Sequence, residues 1–194
     1  MFPLTEIPTE IEYRHCIKEL SLADGAEWLT ADLLHARLAP ARNPGFDVYK
    51  SELFPNLTFQ VKLSRPGEAR KIQKTVNGRD DFWDTSPAWT WHEAIAESAD
   101  FYVLYGVNGD EVYPFVVPLR VWTKEAYDTG IGGLILRVSV DQYSHCGRYK
   151  RSFKRNKFWQ YLLKTWPDDL FRRIAYYTKY EETQQLSLVA TQAA

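Results

Sequence analysis

Asp47 lies in the short run Gly45-Phe46-Asp47-Val48-Tyr49, and Gln60 and Lys62 lie two apart in Phe59-Gln60-Val61-Lys62-Leu63-Ser64. Both runs are rich in aromatic and β-branched residues and read as strands. Side chains on a strand alternate, so Gln60 and Lys62 share one face while Phe59, Val61 and Leu63 share the other. An acid beside a polar strand face suits metal-assisted cutting of a phosphodiester. The acid would hold a hard cation, and the lysine would stabilise charge on the attacking water or the phosphate. Read alone, Asp47 is a strand-edge acid pairing with an arginine, and Lys62 is a half-exposed strand lysine. Only together do they carry chemistry.

The elements that must position these residues follow from periodicity and punctuation. Leu22, Ala26, Leu29, Leu33 and Ala36 recur at helical spacing and predict an amphipathic helix over 21–38. Ser21-Leu22-Ala23-Asp24 resembles a capping box at its start, and Pro40 and Pro44 end it. Strands are expected over 45–50 and 57–64, then a polar surface excursion over 66–85 that turns at Asn77-Gly78. Within it, Arg79-Asp80-Asp81 reads as a solvated turn. Ser86-Pro87 reads as an N-cap with proline at the first helical position, predicting a helix to about Ser98.

Phe101-Tyr102-Val103-Leu104-Tyr105-Gly106-Val107 is nearly all apolar and fits the centre of a sheet. Asn108-Gly109 turns it into a second strand, where Pro114 marks an edge or a bulge. One or two helical turns are expected over 120–128, a strand from Leu134 to Val140, a basic helix over 148–165 and a loose tail at the end. The expected fold class is α/β, a mixed central sheet flanked by helices.

The order helix, strand with Asp, strand with Gln-x-Lys, helix, central strand resembles the PD-(D/E)xK nuclease superfamily, over roughly residues 20–118. Phe46-Asp47 stands where the motif has Pro-Asp, and Gln60-Val61-Lys62 stands where it has (D/E)xK. Asp24 to Leu29 is similar to the family's first helix, which implies Glu27 as a third site residue. Ala99-Asp100-Phe101 is similar to the entry into its core strand, a scaffold feature. The resemblance implies a restriction-endonuclease-like fold and cleavage of DNA, duplex above all. It implies Mg²⁺, with Mn²⁺ as a substitute, held by Asp47, Glu27, Gln60 and the carbonyl of Val61. A homodimer would suit a double-strand cutter. There are two departures. Gln60 supplies an oxygen but no charge, and Leu38 to Pro44 leaves little room for a strand before the Asp strand. Glu52 is a candidate for the charge that Gln60 lacks, though a turn acid is more often only solvated.

The 194-residue chain is 45% hydrophobic and 15% aromatic, enough for one sizeable core. It is expected to form a single nuclease-like domain, with its core over about 20–140 and a basic helical extension over about 144–180. Net charge is −1, yet residues 144–179 hold ten Lys or Arg against two Asp. Arg148, Lys150, Arg151, Lys154, Arg155 and Lys157 interleave there with Tyr149, Phe153, Phe158 and Trp159. Cations would grip phosphates and aromatics would stack or pack. Charge alone fits a solvated basic helix equally, and Phe158 and Trp159 fit core packing.

No apolar run reaches the length of a membrane span, and no secretory leader is expected. Two lone cysteines, Cys16 and Cys146, fit reduced thiols and a cytoplasmic setting. The four histidines show no zinc spacing, and no glycine-rich phosphate loop is present. Two other classes stay open: a non-cleaving nucleic-acid-binding module on the same fold, and a protein-interaction domain.

Overall fold

The computed structural model describes residues 23–40, 45–67, 71–76, 79–84, 87–93, 99–128, 133–141, 143–146, 152–155 and 157–179. Helix α1 spans Ala23–Leu33 and is followed by β1 (Arg37–Leu38), β2 (Val48–Tyr49) and β3 (Phe59–Ser64). A hairpin of β4 (Lys71–Val76) and β5 (Arg79–Asp84) comes next, then β6 (Ala88–Glu93), β7 (Phe101–Asn108) and β8 (Glu111–Pro118). Helix α2 (Leu119–Glu125), β9 (Tyr127–Asp128) and β10 (Leu134–Ser139) lead to the hairpin β11 (Tyr143–Cys146) and β12 (Ser152–Arg155). A 3₁₀ turn (Lys157–Tyr161) and helix α3, residues 168–179, complete the described chain.

The main sheet has the order β1-β2-β3-β7-β8. β3 and β7 run parallel, from Phe59 beside Phe101 to Ser64 beside Gly106, and the other neighbours are antiparallel. The sheet is buried on both faces, which explains the unbroken apolar run of β7. One face sends Phe59, Val61, Phe101, Val103 and Val116 against α1 and against Leu170 and Ile174 of α3. The other sends Tyr102, Leu104, Phe115 and Val117 against a second sheet of order β6-β10-β9. Trp89, Trp91, Leu136 and Val138 of that sheet fill the layer, with Trp122 of α2 and Phe158. Gly106 allows the two sheets to approach: a Cβ there would lie 2.6 Å from the Trp89 indole. The Trp89 Nε1 donates to the carbonyl of Val107 at 3.2 Å.

β8 is an edge strand, as Pro114 requires, and the amide of Leu163 donates to the Pro114 carbonyl at 2.9 Å. Asp100 ties the starts of β3 and β7 together. Its carboxylate accepts from the Thr58 amide at 2.8 Å and the Thr58 hydroxyl at 2.7 Å.

Four sequence expectations change. The first helix stops at Leu33 rather than near Leu38. His35 adopts the left-handed conformation, φ 46°. The Ala36 amide then reaches back to Ala31 O at 2.8 Å and the His35 amide to Asp32 O at 3.0 Å. These two bonds form a Schellman stop, made here without glycine. Residues 88–93 form a strand, not the start of a helix, because Trp89, Trp91 and Glu93 alternate inward while Thr90 and His92 alternate outward. Residues 94–98 lie outside the described set. The excursion over 66–85 contains the β4–β5 hairpin, which places Arg79, Asp80 and Asp81 in a strand.

Among its described residues the basic segment is likewise not one helix over 148–165, and of the extension over 144–180 only α3 is α-helical. It holds the β11–β12 hairpin and the 3₁₀ turn, and α3 packs Leu170 and Ile174 into the core. Residues 1–22 and 180–194, with Ser21 and Leu22 of the capping box, Cys16 and the tail, lie outside the described set. No helix among the described residues is long and apolar enough to cross a membrane.

Candidate active site

Asp47 is set by its backbone and its side chain at once. Its amide donates to Phe59 O at 2.9 Å, and its carbonyl accepts from Ala39 at 2.7 Å. Its carboxylate oxygen Oδ2 accepts from the Val61 amide at 2.7 Å. β2 pairs with β3 only at Val48 and Phe59, so beyond that pair the carboxylate takes the place of a strand neighbour. The amide and carbonyl of one strand residue face the same edge. The carbonyl of Val61 therefore faces the edge that Asp47 occupies.

Lys62 points to the opposite face from Val61, toward the second sheet. Its Nζ lies 3.2 Å from Oε2 of Glu93 on β6, and the two side chains are 23% and 6% exposed. Gln60 shares that face of β3 and is 8% exposed. Ser64, on the same face, accepts the Thr90 amide at 2.9 Å, which seats β6 against β3. This is a packing role.

The acids sense one another. Burial raises the Asp47 carboxyl above the ordinary range; the Val61 hydrogen bond and Lys62 oppose the shift, and Glu93 adds to it. Glu27, near the start of α1, is pushed up to about 7. Burial is the largest cause, then the negative charges of Asp47 and Asp24, with Lys62 opposing. Asp47 and Val61 are thus bonded directly, and Glu27 and Lys62 lie within electrostatic reach of Asp47.

This donor set suits a hard divalent cation. It offers oxygen ligands only, and a cation would remove the repulsion that Glu27 and Asp47 exert on each other. Among the described residues no three or more His, Cys, Asp or Glu side chains stand at ligand spacing. The fit is therefore two acids with the Val61 carbonyl, not a three-acid cage.

Glu52 stands apart from this cluster. It is exposed, its amide donates to His35 O at 3.0 Å, and it lines a cavity of about 470 Å³ with Asp32, His35, Arg37 and Lys50. The carboxylate that meets Lys62 is instead Glu93, which sequence reasoning missed by reading its segment as a helix. The alternation Trp89, Trp91, Glu93 was the available signal.

The six basic residues expected to grip nucleic acid do not form one helical face. Lys154 and Arg155 lie in β12, opposite Ser144 and Tyr143, and Lys157 is exposed at the head of the 3₁₀ turn. Arg148, Lys150 and Arg151 lie outside the described residues. Phe158 is buried against Phe115, and Trp159 donates to Ser139 O at 3.0 Å, so both pack the core. The chain matches no known family profile and no curated protein.

Proposed function

We propose that this protein is a metal-dependent endonuclease that hydrolyses DNA phosphodiester bonds. The observation that carries the reading is the Asp47 carboxylate held on the Val61 amide, with Lys62 next in the strand and Glu27 electrostatically coupled to both. Two further features support it. A helix precedes three strands in antiparallel succession, and β7 then joins β3 in parallel. The acids are half-buried rather than solvated, so their charge is felt strongly.

Asp47 and Glu27, with the Val61 carbonyl, would hold Mg²⁺, which when bound supplies Lewis acidity toward a phosphoryl oxygen. Val61 N–H fixes the Asp47 carboxylate in one orientation. The Lys62 ammonium, within electrostatic reach of Asp47, would stabilise negative charge on the phosphate as water adds and the ester oxygen leaves. Glu93 holds that ammonium in place. Gln60 offers a neutral oxygen and orients rather than neutralises.

The missing charge at Gln60 favours one second reading, a non-cleaving nucleic-acid binder on the same scaffold. Nicking of supercoiled plasmid separates the two. Wild-type protein is expected to nick only with Mg²⁺ or Mn²⁺, and Asp47→Ala to lose at least about a hundredfold in rate while keeping duplex affinity. Duplex binding without metal-dependent nicking would establish the second reading instead.

A further inference from the structure

A second cluster of polar side chains gathers toward the β8 edge of the main sheet. Arg120 is the second residue of α2, Tyr161 ends the 3₁₀ turn, and Arg173, Tyr176 and Tyr177 lie on α3. The Arg120 guanidinium sits 5.8 Å over the Tyr177 ring. Arg173 donates to the carbonyls of Gln160 and Leu162, both at 3.4 Å, and so straddles Tyr161 from either side. Tyr176 packs edge-on against Tyr177 at 5.4 Å and is itself 64% exposed.

Two guanidiniums and three phenol groups converge here from three elements. Guanidinium is the side chain best shaped for phosphate, and phenol hydroxyls add neutral donors. Burial raises the Tyr161 and Tyr177 phenols above their ordinary value, so both keep their protons at neutral pH. Glu125 is the acid that acts on Tyr161. The acids of α3 are engaged elsewhere. Asp169 accepts the Lys164 and Thr165 amides at 3.0 and 2.8 Å, and Arg172 lies near Asp168 and Asp169.

Tyr177 meets Phe101, the first residue of β7, which pairs with Phe59 at the start of β3. Arg120 follows β8, two strands from β3. Asp47 lies one strand further, on the β2 side of β3, so three strand spacings, roughly 14 Å, separate the two, and one extended polyanion can reach both this cluster and Asp47.

We propose that Arg120, Tyr161, Arg173, Tyr176 and Tyr177 form a second site, which binds backbone phosphates of a nucleic acid. It extends the nuclease reading to a partner contact but stands on different residues. The test is titration of a labelled DNA duplex with the full chain across a salt series, with Ca²⁺ in place of Mg²⁺. Arg120→Ala with Tyr176→Ala, both exposed positions, is expected to weaken binding about tenfold. The slope of log affinity against log salt should fall by roughly 0.9 for each phosphate that the protein no longer neutralises. Arg120→Lys should keep the slope, because the charge remains.

Native melting with unchanged affinity and slope in the double variant would overturn the proposal. So would equal loss of binding to poly-glutamate, which would mark a general polyanion surface. Calorimetric Mg²⁺ binding should be unaltered in these variants. If wild type binds no metal yet the duplex result holds, the nuclease reading fails and this site stands.

Discussion

Lys62 Nζ lies 3.2 Å from Glu93 Oε2, across the gap between two sheets, and the carboxylate is nearly excluded from water. The pair joins β3 to β6 and holds the ammonium within electrostatic reach of Asp47. Removing one member of such a pair leaves the other buried and uncompensated.

Glu93→Gln should therefore cost about 2 kcal/mol of stability, read by urea denaturation, and should slow nicking as well. Lys62→Met combined with Glu93→Leu should recover most of that stability without recovering activity. A double variant as unstable as the single one would mean that Glu93 has a structural partner more important than Lys62.

Glu27 predicts opposite pH trends for fold and metal. Its pKa in the folded chain is about 7 against an ordinary 4.5, so the folded state holds a proton that the unfolded chain has released. That stabilisation is full below about pH 4.5 and is lost as pH rises through about 7. A cation needs the ionised form, so Mg²⁺ affinity should climb over the same range. Glu27→Gln should flatten both trends. Calorimetry and thermal melting from pH 5 to 9 measure them, and an unchanged pH dependence in the variant would remove Glu27 from the site.

Gln60→Glu puts a carboxylate at a position 8% exposed, on the face of β3 that it shares with Lys62. Metal-free protein should lose stability from desolvation. Mg²⁺ or Mn²⁺ should bind at least as tightly as to wild type and restore the melting temperature. Weaker metal binding in this variant would place residue 60 away from the cation.

Gly106→Ala puts a methyl carbon 2.6 Å from the Trp89 indole. The rigid ring must move, and Trp89 also bonds the Val107 carbonyl. A loss of about 2 kcal/mol is expected, measured by denaturation. A neutral result would mean that the two sheets separate at little cost.

Local pattern alone determined a good deal. The unbroken apolar run at 101–107 required a strand buried on both faces, and Asn108-Gly109 with Pro114 required a tight turn into an edge strand. Alternation in β3 put Gln60 and Lys62 on one face before any neighbour was known, and Asp47 was singled out by its place in an apolar run, although it lies just before β2 and not within it. The strand before it is as short as the spacing allowed, two residues. Tertiary structure alone decided the rest. Ser86-Pro87 followed by Ala-Trp-Thr-Trp-His-Glu satisfies a helix start and a strand equally, and packing against Gly106 selected the strand. That choice turned Glu93 inward onto Lys62, a pairing between residues distant in the chain that no local period encodes. The basic segment likewise read as a helix, with aromatics interleaved among its cations. Pairing of β11 with β12, and burial of Phe158 against Phe115, outweighed that propensity. Periodicity says which residues share a face; only packing says what that face meets.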